Sequence, residues 1–303
     1  MTAPTPLEPA PASLAAGRPV FLKREDVHEL GAFKWRGALP TLEEYRAAGA
    51  ATVVTASTGN HGAATAWVAK RLGLSAVVYA PTRAPCTKIT LIERLGAEVR
   101  LTGADLDEAK DEARAFAAGR GFPLFEDGAE QAQYRGYREI GREILEQLSD
   151  PPAAVVVPLG NGALLGGIGL ELGEHAPETQ RIGVQAKEAP VMVECWRAGR
   201  IVESNRADTF ADGLAVRVPI PLAVQILARV ASRMLLVSER AIARAVGAYA
   251  AADIRVEGAA AAALAGLDQL GDVDGPTVLI VTGCNIDDAL WRRAVEHPES
   301  FPG

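Results

Sequence analysis

Short apolar runs rich in β-branched residues alternate along the chain with stretches whose apolar positions recur every three or four residues. The runs at 19–23, 52–55, 76–79, 98–101, 153–157, 181–185 and 277–282 predict strands. The helical period predicts helices over 33–48, 63–72, 87–95, 105–118, 130–148, 164–172, 190–198, 221–233, 239–252, 257–267 and 287–295. Several of these helices are punctuated by glycine, as at Gly96 and Gly119. Short apolar strands separated by helices indicate an α/β protein with open, mainly parallel sheets covered on both faces. By composition the strongest internal break is Asp150-Pro151-Pro152.

Composition narrows the class. The chain has 303 residues, 49% hydrophobic and 23% charged, which suits one large or two medium globular domains. A net charge of −7 gives no footprint for nucleic acid or an anionic membrane surface. No apolar run approaches the roughly 20 residues of a membrane span. The Pro/Ala-rich stretch 1–11 lacks the basic and apolar regions of a secretion signal. Cys86, Cys195 and Cys284 are odd in number and widely spaced, which argues against a disulfide framework or a zinc site and suits a reducing cytoplasm.

Candidate chemistry gathers in loops that follow strands and precede helices, where open parallel sheets bind ligands. Ser57-Thr58-Gly59-Asn60-His61-Gly62 opens a helix whose amides form an anion site. It reads equally as a helix start capped by Ser57 or Thr58. Leu159-Gly160-Asn161-Gly162-Ala163-Leu164 suits a phosphate. A dinucleotide fingerprint through Gly160, Gly162 and Gly166 competes, but the acidic partner due at the end of the next strand is replaced by Gln185. Thr282, ending a buried strand before Gly283-Cys284-Asn285-Ile286-Asp287, carries a hydroxyl that needs a partner, either nearby backbone or a ligand. Lys34, in Ala32-Phe33-Lys34-Trp35-Arg36-Gly37-Ala38, is either a solvated lysine at a helix start or a reactive amine.

In this order the four motifs resemble the pyridoxal-phosphate enzymes of the tryptophan-synthase-β type, and among them threonine/serine dehydratases and serine racemase. Phe210-Ala211-Asp212-Gly213-Leu214-Ala215-Val216 and Val256-Glu257-Gly258-Ala259 add to the likeness, which runs from about Thr5 to Asp288. It implies two open α/β domains with the cofactor in the cleft between them: a large one of 1–36 and 142–303, and a small substrate-side one of 37–141. Pyridoxal 5′-phosphate would form a Schiff base with Lys34. Asn60 would bond its 3′-oxygen, residues 160–164 (Gly160, Asn161, Gly162, Ala163 and Leu164) would cradle its phosphate, and Thr282 would face its ring nitrogen. Ser57, Thr58, Asn60 and His61 would surround the substrate carboxylate, with Tyr134 and Arg135 as further contacts. The implied protein is a cytoplasmic homodimer acting on a small amino acid.

Lys34, freed by the substrate amine, is then the base at Cα–H. A hydroxyl opposite the ring nitrogen favours early loss of the β-substituent. The expected reaction is β-elimination on a serine- or threonine-like hydroxy amino acid, giving a 2-oxo acid and ammonia. β-Replacement, as in cysteine or threonine synthases, racemisation and a non-catalytic cofactor- or nucleotide-binding protein are the alternatives. Departures from the family sharpen the picture. The glutamate and aspartate that often hold a cation are here Gln185 and, roughly, Val191, so no such metal site is expected. Thr58 stands where serine racemase has its second proton-transfer serine. Gln131 to Tyr137 departs from the usual Gly-Gln-Gly segment, which bears on the substrate. His28 and Trp35 are expected to pack, and Cys284 to be a small buried residue. With no regulatory domain after the last helix, control by a pathway amino acid is not expected.

Overall fold

Among the residues that the computed structural model describes, nine strands, in chain order β1 Leu7–Pro9, β2 Val20–Arg24, β3 Thr52–Ala56, β4 Ser75–Ala80, β5 Glu98–Leu101, β6 Ala154–Pro158, β7 Gln180–Ala186, β8 Arg233–Val237 and β9 Thr277–Val281, build two sheets. The model describes residues 3–15, 17–204, 207–271 and 273–303. The larger sheet has the order β1-β2-β9-β6-β7-β8 and the smaller the order β3-β4-β5. Every pairing is parallel except β1 with β2. This is the mainly parallel α/β architecture expected from the alternation of elements.

The chain divides into two compact units, one of Met1–Phe33 with Tyr137–Gly303 and one of Lys34–Gly136. In the first unit β6 and β9 are buried along their whole length, which is why they read as continuous apolar runs. The alanine-rich helix Gly258–Ala265 packs on this sheet, and its residues 258–263 are all buried. Small side chains let a helix backbone lie close to the strands. In the second unit a core of Val54, Val77, Tyr79, Ala109, Ala113 and Ala117 joins the sheet to the helix Leu106–Arg120. Asp150-Pro151-Pro152 lies inside the first unit, between the helix Gln131–Gln147 and β6. The composition break therefore marks a helix stop rather than a passage between units.

Two strands are not anticipated. β8 is an edge strand paired with β7. Its apolar run directly follows a helical pattern and is too short for periodicity to separate from it. The helix Pro221–Val230 ends three residues before Arg233. β1 contains Pro9, which argues against a strand interior but is tolerated at a sheet edge. β2 carries a fully buried Lys23, whose Nζ lies 2.5 Å from Glu143 Oε2 and donates to Thr5 O at 2.7 Å and Gln147 Oε1 at 3.0 Å. Among the described residues no helix is long and apolar enough to cross a membrane.

Candidate active site

In the second unit a segment outside the named strands runs beside β3. Val54 N donates to Pro123 O at 3.0 Å, and Phe125 N donates to Val54 O at 2.8 Å. Val54 and Leu124 form a parallel bridge. The chain therefore leaves both β3 and this segment at the same end of the sheet. β3 is followed by Ser57-Thr58-Gly59 and the helix Asn60–Leu72, and Phe125 by Glu126 and Asp127.

The first loop is shaped for an anion. Ser57 Oγ accepts from Gly59 N at 3.1 Å and pins the turn. Gly59, rather than Ser57 or Thr58, precedes the helix, and no side chain caps it. The first helical turn holds no acidic residue, so its amides present uncompensated partial positive charge. Thr58 and Asn60 are partly exposed here, whereas Ser57 is buried.

Asp127 organises the second loop. Lys34 Nζ donates to Asp127 Oδ2 at 2.5 Å, and Gln133 Nε2 donates to Oδ1 at 2.5 Å. Gln133 Oε1 in turn accepts from Gly128 N at 2.7 Å, and Tyr134 Oη donates to Gly128 O at 2.8 Å. The head of the helix Gln131–Gln147 thus grips the 127–128 turn from both its amide and its carbonyl. Burial pushes the Asp127 carboxyl up, but the nearby charge of Lys34 and the bonds from Lys34 and Gln133 outweigh it. The group lies far below the usual carboxylate range. His61 Nδ1 lies 3.7 Å from Asp127 Oδ1, while Nε2 is 3.1 Å from Thr55 Oγ1 and 3.2 Å from Phe125 O. Burial lowers the His61 pKa, and Asp127 only partly opposes that shift.

In the first unit, β6 leads through Leu159-Gly160-Asn161-Gly162 into the helix Ala163–His175. A Cβ at Gly160 would stand 2.4 Å from Gly213 O, so only glycine fits. Gly162 has φ +93°, in the left-handed region. Asn161 Oδ1 accepts from Ala163 N at 3.0 Å, which caps the helix. In this structure the Ala163 amide, one of those the resemblance assigns to the phosphate, is bonded to the Asn161 side chain. The remaining glycine amides and the first turn, again without an acidic residue, form a cradle fit for a phosphate.

Thr282 follows β9. It is 3% exposed, and its Oγ1 has no hydrogen-bond partner among the described residues. Its carbonyl accepts from Phe33 N at 3.2 Å, and the next residue, Gly283, bridges to Ala32. A buried hydroxyl left unpaired costs about 1–3 kcal/mol. A polar ligand atom placed there would recover that cost. Within the first unit the glycine cradle and the buried Thr282 hydroxyl fit the phosphate and ring nitrogen of pyridoxal phosphate, and in the second unit Lys34 offers a primary amine of the kind its aldehyde bonds.

The structure redirects three expected substrate contacts. His61 is buried behind the loop, held by Thr55 and Phe125, and its ring backs Asp127. Tyr134 is 1% exposed and spends its hydroxyl on Gly128. Arg135 lies on the exposed side of the unit and pairs with Glu44. In the first unit Gln185 is buried, and its Oε1 accepts from Val193 N at 3.1 Å. Asp127 and Gln133 are the residues missed. The only local sign was the turn at Asp127-Gly128 just before a helix, and nothing in that pattern points to a lysine 93 positions away.

Residues 1–283 match the model of the family described as pyridoxal-phosphate dependent enzyme. An L-threonine ammonia-lyase of Thermotoga maritima is 35% identical over 289 residues, 93% of this chain and 71% of the relative. That of Geobacter sulfurreducens is 36% identical over 284 residues, 92% and 70% of the two chains. The structure of the processed form of threonine deaminase isoform 2 from Solanum lycopersicum superposes with a TM-score of 0.92 at 30% identity. It covers 97% of this chain and 88% of that one.

Proposed function

The chain belongs to the pyridoxal-phosphate-dependent enzymes, and from that premise we propose that it is an ammonia-lyase working by β-elimination. Its substrate is a serine- or threonine-like hydroxy amino acid, and its products are a 2-oxo acid and ammonia. The observation that carries this reading is Thr282: a buried hydroxyl, not a carboxylate, with no hydrogen-bond partner among the described residues, at the end of β9. Bound cofactor supplies the electron sink at the substrate Cα.

The chain's own groups do the rest. Lys34 would anchor the cofactor, and its free amine would take the proton from Cα. Thr282 would face the ring nitrogen with an uncharged hydroxyl rather than a carboxylate, which would favour prompt loss of the β-hydroxyl. Gly160, Asn161, Gly162 and Leu164 orient through the phosphate. Asn60 hydrogen-bonds the ring oxygen. Ser57, Thr58 and the first amides of the helix Asn60–Leu72 fix the substrate carboxylate, which sets Cα–H toward Lys34. The ammonia-lyase relatives support elimination over replacement. The family resemblance supports a homodimer, and three free cysteines suit a cytoplasmic setting.

The test is a panel of serine, threonine, hydroxyaspartate and diaminopropionate in both stereochemical forms, assayed for 2-oxo acid and ammonia. At least one L-hydroxy acid turns over, and Lys34→Ala abolishes both turnover and the visible absorbance of lysine-bound cofactor. Inversion at Cα without ammonia release would instead favour a racemase, with the Thr58 hydroxyl serving the second face.

A further inference from the structure

The pairing of Lys34 with Asp127 is built too carefully for a surface ion pair. Lys34 stands at the head of the helix Trp35–Ala47, with 17% of its side chain exposed. Asp127 is held from three sides by three different elements. Lys34 takes Oδ2, Gln133 takes Oδ1, and His61 closes on Oδ1 at 3.7 Å. Gln133 is itself fixed through Gly128 N, and Tyr134 locks the same turn through Gly128 O. A carboxylate so anchored cannot rotate away, and it stays ionised because the surrounding donors favour the charged form. An ion pair between long exposed side chains would have none of this scaffolding and would contribute little.

We propose that Asp127 is the seat of the Lys34 ammonium whenever Lys34 nitrogen is not bonded to the cofactor, and so a positioning residue for the elimination. The inference rests on the functional reading above. In the elimination Lys34 takes one proton from Cα and becomes an ammonium. Asp127 receives that ammonium by hydrogen bond, without taking the proton, and holds Nζ clear of the cofactor aldehyde carbon while the β-hydroxyl leaves. The β-hydroxyl leaves as water with a proton drawn from solvent, and the Lys34 ammonium returns the Cα proton to solvent before its nitrogen holds the cofactor again, so charge and atoms balance. Asp127 thereby separates the two jobs of one amine. It slows capture of the cofactor by Lys34, which needs the neutral amine, and it steadies the base between proton uptake and return. His61, neutral through burial, backs the carboxylate without competing for that proton.

Two measurements on the full chain test this, and one does not depend on turnover. Protein stripped of cofactor is mixed with pyridoxal phosphate. Capture is followed by visible absorbance, and by borohydride reduction with mass spectrometry to place the adduct on Lys34. Removing the carboxylate that holds Nζ at 2.5 Å leaves the amine free to reach the aldehyde, so Asp127→Asn captures cofactor about three- to tenfold faster near neutral pH. Its kcat falls about tenfold or more with KM little changed, because an interaction made only after substrate binding is lost. Asp127→Glu restores part of both. Gln133→Ala, which frees one carboxylate oxygen but leaves the charge, lowers kcat without accelerating capture, and it serves if Asp127→Asn does not fold. Capture on Lys34 that is unchanged in rate in Asp127→Asn, or in Gln133→Ala a kcat equal to wild type, overturns the inference alone. A wild type that never forms the Lys34 adduct overturns the functional reading and this inference with it.

Discussion

Lys34 Nζ and Asp127 Oδ2 meet at 2.5 Å although 93 positions separate them in the chain. Both belong to the unit Lys34–Gly136. β3 and the segment through Leu124 run side by side and release the chain at the same end, which brings Asp127 beside the Ser57–His61 loop, and Lys34 reaches it from the head of the helix Trp35–Ala47. A reactive amine is thereby placed against a fixed carboxylate within one compact body.

Thr282→Val separates cofactor recognition from folding. The valine removes a buried hydroxyl that has no partner among the described residues and keeps the shape of the side chain. Without cofactor the variant is as stable as wild type, or more stable by about 1 kcal/mol. Its affinity for pyridoxal phosphate drops about tenfold, the equivalent of one lost hydrogen bond of about 1.4 kcal/mol. Thermal unfolding with and without cofactor, together with a cofactor titration, checks both parts. Destabilisation of the cofactor-free variant would show that the hydroxyl serves the fold instead.

Gly160→Ala tests the phosphate cradle. Its Cβ would meet Gly213 O, a backbone atom, at 2.4 Å, and backbone cannot swing aside as a flexible side chain can. The loop must shift, at a cost of about 1–3 kcal/mol. The expected readout is weaker retention of pyridoxal phosphate on dialysis, with a smaller effect on capture of pyridoxal, which lacks the phosphate. Equal losses for both aldehydes would place the phosphate elsewhere.

Acid stability carries the signature of His61 and Asp127. The folded-state pKa of His61 is lowered, so below the ordinary imidazole value of 6.5 the unfolded chain gains a proton that the folded chain refuses. Stability present above that value therefore falls as pH drops through it. Asp127 is also depressed, from 3.8, so its contribution persists down to that region and is lost only below it. Urea midpoints measured from pH 7 to pH 3 should decline in these two stages. In His61→Gln the upper stage flattens; an unaltered slope between pH 7 and pH 5 would contradict the assignment.

The buried Lys23–Glu143 pair predicts a non-additive double mutant. Lys23 is fully buried, and the Glu143 side chain is 11% exposed. Lys23→Met alone leaves a mostly buried carboxylate without its cation and costs about 3–5 kcal/mol. Adding Glu143→Leu recovers much of that loss, since an apolar pair of similar volume avoids the desolvation cost. Chemical denaturation of the four-member cycle measures the coupling. Simple addition of the two single effects would mean that the pair contributes no mutual interaction.

Some of the site was legible because its chemistry is local. The Gly160–Gly162 loop and the Ser57–Asn60 turn each carry their backbone geometry in consecutive residues, and a strand followed by a helix start is a pattern of neighbours. Thr282 was legible for a similar reason: a hydroxyl at the end of a fully apolar run has few places to go. His61 was assigned with its loop neighbours to the substrate, yet helix geometry turns its ring inward to Thr55 and Phe125. Arg135 and Tyr134 adjoin in the chain but point apart, one exposed and one buried, as neighbours on a helix do.

The amino-acid sequence by itself determined the alternation of strands and helices, the α/β class, and the local motifs around Lys34, Gly160 and Thr282. These depend on periodicity and on residues a few positions apart. Only the tertiary structure decided that β1 and β8 complete the larger sheet, that Asp150-Pro151-Pro152 lies within a unit, and that Asp127 is the partner of Lys34. Strand order and side-chain pairing across 93 residues follow from how packed elements exclude water together. No short-range pattern encodes that. The lysine was readable as a lysine with a purpose, but the carboxylate that holds it became visible only once the chain had folded around it.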